Sequence, residues 1–245
     1  MKVGLFIPCY IDQFYPKVGI ATLNILKKLG CEVEYPMEQT CCGQPMANSG
    51  FEANTQKTMH HFVDVFSDYD YIVAPSGSCA LHVKEHYPDS LNNNVSRVKN
   101  NIYELSEFLT DVLKVKEWPG TFNHKIGLHS SCHGLRGLRL AKSSELNIPD
   151  FNKTQYLLNL IDGVDLIPLE RSDECCGFGG TFAVAEEALS VRMGNDRISD
   201  HEKHGAEIIT AGDSSCLMHM EGLIKRQKKN IRVMHFAEIL NESLS

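Results

Sequence analysis

The chain has 245 residues, of which 42% are hydrophobic and 22% are charged, and its formal net charge is −7 at pH 7. This composition is typical of a globular protein, and the length allows one large domain or two similar halves. The acidic balance without a broad basic face predicts no nucleic-acid partner. No apolar stretch approaches the roughly 20 residues of a membrane-spanning helix, so we expect a cytoplasmic protein with no membrane span of its own.

Short β-type runs alternate with helical stretches along the chain. The pattern predicts strands at 2–8, 31–35, 70–74, 125–129, 164–168, 206–210 and 231–234. It predicts helices at 15–29, 52–67, 78–87, 101–115, 154–162, 181–201, 215–228 and 235–242. This alternation predicts an α/β fold with mostly parallel sheets and flanking helices.

The cysteines form a pattern that occurs twice. A Cys-Cys-Gly phrase has one cysteine upstream and another downstream, the latter within Ser-Cys-x-x-His. The first set is Cys9, Cys41, Cys42 and Cys79, and the second is Cys132, Cys175, Cys176 and Cys216. Only Cys31 is left over, and we expect it to be a packing residue. The repetition predicts two pseudo-repeated halves, placed at 1–118 and 119–245 because Pro119-Gly120 interrupts the regular pattern.

The patterned cysteines follow predicted strands. In an open α/β sheet, ligands bind at the edge formed by the carboxyl ends of the strands, so we expect the thiols to gather there. The expected compartment is reducing, which favours metal-bound thiolates over disulfides. Adjacent cysteines suit a multi-iron cluster better than one tetrahedral zinc ion. We therefore predict one or two iron–sulfur clusters of the [4Fe-4S] type, with zinc in one half as an alternative.

Other residues near the cysteines are candidates for supporting roles. Gly43 and Gly177 would allow tight bends beside a metal centre. His82 and His219 follow the last cysteine of each set at equal spacing, so they are either neighbours of the ligands or helix-surface residues. A further pair of histidines, His129 and His133, has the spacing of residues on one helix face.

Four longer phrases identify the chain as similar to a known family. They are Cys41-Cys42-Gly43-Gln44-Pro45 followed by Asn48-Ser49-Gly50, Pro75-Ser76-Gly77-Ser78-Cys79, Cys175-Cys176-Gly177-Phe178-Gly179-Gly180-Thr181-Phe182, and Val233-Met234-His235-Phe236-Ala237-Glu238-Ile239-Leu240. Together they resemble the cysteine-rich CCG family. That family includes lactate-utilisation proteins, the iron–sulfur subunit of glycolate oxidase and, more distantly, the cysteine-rich subunit of heterodisulfide reductase.

The resemblance implies an iron–sulfur electron-transfer subunit, or a catalytic one, in a complex that oxidises L-lactate to pyruvate or acts on a similar 2-hydroxy acid. It also implies a ferredoxin-like iron–sulfur subunit and a third companion protein as partners, through which the protein would be peripheral to the inner membrane. The alternatives are a zinc-binding or metal-free scaffold subunit and a thiol–disulfide reductase subunit.

The chain departs from the family motif at two positions. The motif ends in Cys-x-x-Cys, and here its first cysteine is replaced by Ser76 in one half and by Asp213 in the other. A four-thiol cluster is therefore the simpler expectation, and oxygen ligation by Ser76 or Asp213 is the alternative.

Overall fold

Eight short strands form two four-stranded sheets in the computed structural model, which describes residues 1–244. The strands are β1 (Lys2–Leu5), β2 (Glu32–Glu34), β3 (Tyr71–Ala74), β4 (Ile102–Glu104), β5 (Thr121–His129), β6 (Asp162–Leu166), β7 (Ile208–Ala211) and β8 (Arg232–His235). All neighbouring strands in this set pair in parallel. The predicted α/β fold with parallel sheets is confirmed.

Helices connect the strands. They are α1 (Cys9–Phe14), α2 (Pro16–Lys28), α3 (Gln44–Asn48), α4 (Glu52–Phe66), α5 (Gly77–Leu81), α6 (Val95–Asn101), α7 (Leu105–Glu107), α8 (Lys153–Leu158), α9 (Phe182–Ala185), α10 (Glu187–Lys203), α11 (Ser214–Gln227) and α12 (Phe236–Glu242). π-Helical turns lie at His82–His86, Phe108–Val112 and His133–Gly137. Within residues 1–244, no helix combines the length and the apolar character needed to cross a bilayer.

The two sheets repeat one topology. The first has the strand order β2-β1-β3-β4, and the second has the order β6-β5-β7-β8. The first strand of each half therefore lies between the second and the third, and the fourth strand lies beside the third. This repetition confirms the two pseudo-repeated halves that the cysteine pattern predicts.

The segment 101–115 is not a single helix, and this part of the prediction is wrong. Strand β4 lies between α6 and α7, with Ile102 paired to Ile72 of β3. Glu104 then caps α7, since its carboxylate accepts the backbone N–H groups of Ser106 and Glu107 in a capping box. An N-cap residue has extended backbone geometry, so it interrupts the helix that the apolar periodicity suggests.

The two halves share one hydrophobic core. Buried side chains of α2, including Ile25 and Leu26, belong to the same apolar cluster as Phe236 and Leu240 of α12. Near the chain's midpoint, the buried indole of Trp118 donates a hydrogen bond to Ser243 Oγ at 2.9 Å. Apolar contact therefore continues from one half to the other, and the boundary between residues 118 and 119 stays a prediction.

Candidate metal centre

Cysteines from both halves meet at one cavity. Cys9, Cys79, Cys132 and Cys216 each lie within five residues of the carboxyl end of β1, β3, β5 or β7. The cavity has a volume of about 540 Å³. The thiol residues in its wall are Cys9, Cys42, Cys79, Cys132, Cys175, Cys176 and Cys216. The strand ends therefore bring the two sets to the same edge of the molecule, as expected for parallel sheets.

The first set is a chain of neighbouring thiols. Cys9 Sγ lies 3.7 Å from Cys41 Sγ. The Cys42 thiol interacts with those of Cys41 and Cys79. Cys42 and Cys79 are buried, whereas Cys9 and Cys41 are partly exposed. Four thiols from three separate parts of the chain thus form a row in which each contacts the next.

The second set repeats this arrangement. The Cys175 thiol interacts with those of Cys132 and Cys176, and Cys176 interacts in turn with Cys216. Cys176 is buried and the other three are partly exposed. By contrast, the unpatterned Cys31 is buried in the shared hydrophobic core. The prediction that Cys31 is a packing residue is confirmed.

One thiolate is stabilised in each set. The pKa of Cys41 lies far below its ordinary value because the Cys42 and Cys9 thiols donate to it. The pKa of Cys175 is lowered in the same way by Cys132 and Cys176. Donation to these thiolates and burial raise the pKa of the surrounding thiols, namely Cys9, Cys42, Cys132 and Cys176. Binding a metal to either set must therefore displace protons.

The glycines of the two Cys-Cys-Gly phrases make the predicted tight bends. Gly43 has φ +92° and Gly177 has φ +85°. Each donates its backbone N–H to the sulfur two residues earlier, at 3.3 Å in both halves. A side chain at Gly177 would meet Met193 Cβ at 2.7 Å and Ser190 O at 2.8 Å. The bend at residue 177 therefore requires glycine. In both halves the bend directs a backbone N–H group toward sulfur.

Ser76 and Asp213, at the positions of the missing thiols, contact each other across the two halves. Asp213 Oδ1 accepts hydrogen bonds from Ser76 Oγ at 2.9 Å and from the Ser78 backbone N–H at 3.0 Å. Its Oδ2 accepts one from Ser131 Oγ at 2.5 Å. Asp213 is only 1% exposed. Both carboxylate oxygens are therefore engaged within the protein, which favours a structural role over metal ligation.

The two predicted neighbouring histidines differ. His82 is buried, its Nε2 has no partner within residues 1–244, and burial lowers its pKa to about 4. It lies near Gly43, where an added Cβ would be 3.9 Å from Nε2. His219 instead donates from Nε2 to the carbonyl oxygen of Ser190 at 3.3 Å. Of these two histidines, only His82 retains an unpaired ring nitrogen.

The sequence pattern did not predict that His129 lies near the thiols, and it did not identify Arg197 as a functional residue. His129 does not share a helix face with His133, because it is the last residue of β5 whereas His133 begins a π-helical turn. One ring nitrogen of His129 and the sulfur atoms of Cys176 and Cys216 are all within 4.8 Å of one another. Its position three residues before Cys132 was the only sequence signal available.

The donor set fits an iron–sulfur centre. Each half offers four neighbouring thiols, and in each half a backbone N–H already donates to one sulfur. Cysteine thiolates are the usual ligands of iron–sulfur clusters, and hydrogen bonds to sulfur tune such clusters. Zinc also binds four cysteines, so the thiols alone do not separate the two metals.

Comparison with known proteins places this arrangement in a family. Residues 3–84 and 126–221 match the family model described as CCG: Cysteine-rich domain. The chain is 41% identical over 247 residues to lactate utilization protein A of Geobacillus kaustophilus (strain HTA426), with 98% of this chain and 99% of that protein covered. It is 38% identical over 247 residues to lactate utilization protein A of Bacillus subtilis (strain 168), with the same coverage.

A solved structure supports the fold. A hypothetical protein from Helicobacter pylori aligns with a TM-score of 0.55 at 12% identity, covering 100% of this chain and 49% of that chain. This chain therefore spans about half the length of that protein, and the likeness shows the fold alone. The two segments that match the family model each contain one complete set of four cysteines. The chain belongs to the cysteine-rich CCG domain family.

Proposed function

We propose that the protein holds iron–sulfur clusters on its two four-thiol sets and carries electrons in a system that oxidises L-lactate to pyruvate or acts on a similar 2-hydroxy acid. The meeting of both sets at one cavity of about 540 Å³ is the observation that carries this proposal. A bound iron–sulfur cluster would supply one-electron transfer. The lactate assignment is supported by the full-length similarity to proteins named lactate utilization protein A.

The protein's own residues would perform three tasks. The cysteines would supply thiolate ligands, and the N–H groups of Gly43 and Gly177 would offset negative charge on sulfur. Burial of Cys42 and Cys176 would keep water from the inner side of each centre. The Ser76 and Asp213 contact would fix the two halves, and hence the two centres, relative to each other.

A subunit that carries electrons needs a donor and an acceptor. We propose a ferredoxin-like iron–sulfur subunit and a third companion protein for these roles, in a cytoplasmic complex that is peripheral to the inner membrane through its partners. Co-purification of the tagged protein with two such proteins, followed by reduction of its clusters with L-lactate, tests this assignment. A lactate-oxidising complex that assembles fully without this chain would contradict it.

Metal analysis of matched cysteine variants tests the cluster assignment. Protein purified without oxygen should contain iron and acid-labile sulfide in comparable amounts. Cys42→Ser and Cys176→Ser should each lose about half of both, because each removes a buried ligand from one set. Cys31→Ser is the matched control, since Cys31 is a buried cysteine outside both sets. A colourless protein that retains only zinc would refute the assignment.

Respiration separates electron transfer from a scaffold role. In cells that depend on L-lactate, Cys42→Ser and Cys176→Ser should abolish lactate-dependent oxygen uptake, whereas Cys31→Ser should sustain it. Normal uptake with either ligand variant would show that the protein acts as a scaffold.

One observation favours zinc in the second half as a second candidate. A ring nitrogen of His129 and the sulfur atoms of Cys176 and Cys216 lie close enough to share one ion. Zinc sites commonly combine histidine and cysteine ligands. Stoichiometric zinc that survives Cys42→Ser but is lost with Cys176→Ser would support this candidate.

A further inference from the structure

We propose that His129 donates a hydrogen bond from Nε2–H to sulfur of the second thiol set, and that this bond raises the reduction potential of the cluster bound there. The inference rests on the proposed function. It makes His129 a positioning residue for the second centre, in contrast to the second candidate function, in which His129 would be a zinc ligand.

Arg197 fixes the protonation of the His129 ring. Arg197 Nε lies 3.2 Å from His129 Nδ1, and both side chains are buried, at 0% and 1% exposure. A guanidinium group donates hydrogen bonds and cannot accept them. Nδ1 must therefore be the acceptor, and the proton of the neutral ring must lie on Nε2. The adjacent positive charge of Arg197 opposes a doubly protonated ring, in which an Nδ1–H group would face another donor.

The guanidinium cannot turn away without losing other contacts. Its Nη1 donates to the carbonyl oxygen of Arg171 at 2.5 Å and to Asp200 Oδ2 at 3.2 Å. Its Nη2 donates to the carbonyl oxygen of Leu128 at 3.4 Å. Four hydrogen bonds thus hold Arg197 in place, and the contact with His129 is one of them.

The free end of the ring is assigned to sulfur. Among residues 1–244, Nε2 of His129 has no hydrogen-bond partner. A ring nitrogen of His129 lies within 4.8 Å of the sulfur atoms of Cys176 and Cys216, and because Nδ1 is engaged by Arg197, we assign this contact to Nε2. A buried donor without a partner is costly, and a thiolate or cluster sulfur in this place would satisfy it.

The same geometry argues against ligation through Nε2. A ligating nitrogen needs its lone pair, so the ring proton would have to move to Nδ1. Metal-bound histidines usually donate that second N–H to a carboxylate, carbonyl or water. Here Nδ1 faces another donor, the Arg197 Nε–H. Ligation through Nε2 would therefore place the Nδ1–H group of His129 against the Nε–H group of Arg197, with no acceptor between them.

The first half has no histidine at the position equivalent to His129. His129 precedes Cys132 by three residues, and the residue three before Cys9 is Phe6. Phe6 is fully buried and packs edge-on against Phe62. A histidine at this strand end is therefore specific to the second centre, whereas the histidine beside the first set, His82, follows the last cysteine of that set.

The expected shift follows from charge. Reduction transfers one electron from an external donor to the cluster, adds one negative charge near sulfur and leaves the proton on Nε2. The hydrogen bond is stronger in the reduced state, because hydrogen bonds to charged groups are the stronger class. A tenfold change in the ratio of reduced to oxidised cluster is a reasonable scale, and it equals about 59 mV for a one-electron couple.

The test compares His129→Phe with His129→Gln by redox titration monitored with electron paramagnetic resonance, using dithionite as the reductant. The phenylalanine reproduces Phe6 and removes the donor, so the second cluster should become about tenfold harder to reduce. Glutamine can accept from Arg197 through Oε1 and donate through Nε2, so it should restore most of the wild-type potential. The first cluster is the internal control and should not shift.

Pulsed electron paramagnetic resonance on protein labelled with ¹⁵N-histidine tests the bonding directly. We expect one weak nitrogen coupling to the reduced second cluster, of the size typical of an N–H···S contact, and its loss in His129→Phe. A strong coupling typical of a bound nitrogen would overturn the inference, as would unchanged potentials in both variants. Protein without iron and sulfide would overturn the proposed function itself, and the metal analysis identifies that outcome before any titration.

Discussion

Replacing Asp213 by alanine should loosen the junction between the halves. Its carboxylate is buried and accepts from Ser76 Oγ, Ser78 N and Ser131 Oγ. Two of these donors belong to the first half. The substitution leaves all three without this acceptor at the junction, where Ser76 and Ser131 are buried and Ser78 is half-buried.

The magnitude follows from these contacts. A buried donor left unsatisfied costs about 1–3 kcal/mol. The backbone N–H of Ser78 cannot turn to another acceptor, and the two serine hydroxyls, which can rotate, still lose hydrogen bonds to a charged group, so we expect a total loss of about 3 to 4 kcal/mol in the free energy of unfolding. Asp213→Asn should cost only about 1–2 kcal/mol, because its Oδ1 still accepts and its amide can donate to the Ser131 hydroxyl.

Thermal unfolding of the wild-type, Asp213→Ala and Asp213→Asn proteins, with metal content measured in each sample, provides the assay. The alanine variant should unfold roughly 10 °C earlier, since 1 kcal/mol shifts the midpoint by about 2–4 °C in a protein of this size. Asp150→Ala is the control, because that carboxylate is 93% exposed and should leave the midpoint unchanged. An alanine midpoint within about 1 °C of wild type would refute the reasoning.

Two further predictions concern a bend and a buried acid. Gly177→Ala should lower the free energy of unfolding by about 3 kcal/mol, because the left-handed backbone is strained and the new Cβ meets Met193 and Ser190 O. Gly205→Ala, at φ +78° with open space around it, should cost only about 1 kcal/mol in chemical denaturation, and equal losses would contradict the clash. Burial raises the pKa of Glu104 to about 8. The folded state therefore holds this proton longer than the unfolded state, and stability should fall by up to about 1.4 kcal/mol per pH unit between roughly pH 4.5 and 8. Glu104→Gln should flatten that slope in denaturation curves, and an unchanged slope would exclude Glu104 as its source.

The sequence was sufficient for the features that local pattern determines. The repeated cysteine phrases predicted the repeated topology, since each phrase follows a strand and strand ends of a parallel sheet meet at one edge. The tight bends at Gly43 and Gly177 were also predictable, because a left-handed backbone favours glycine. Strand β4 was missed because three residues between two helices carry too little periodicity to outweigh the helical pattern around them.

Features that depend on packing between distant elements could not be read from the chain. Asp213 departs from the family motif, but its partner Ser76 lies 137 residues away and in the other half. The orientation of His129 depends on Arg197 of α10, 68 residues later, and on sulfur atoms from two further segments. Neither arrangement leaves a local signature, because both arise only when the two halves have packed.

The packing of α12 against α2 has a consequence for synthesis of the protein on the ribosome. Helix α2 is among the first 30 residues to leave the ribosome, and α12 follows roughly 200 residues later. At a synthesis rate of about 5–20 residues per second, the apolar face of α2 therefore stays without its packing partner for on the order of 10–40 s. During that interval the nascent N-terminal half exposes Ile25 and Leu26 and is a target for chaperones. Final packing of α2 is therefore tied to translation of the second half.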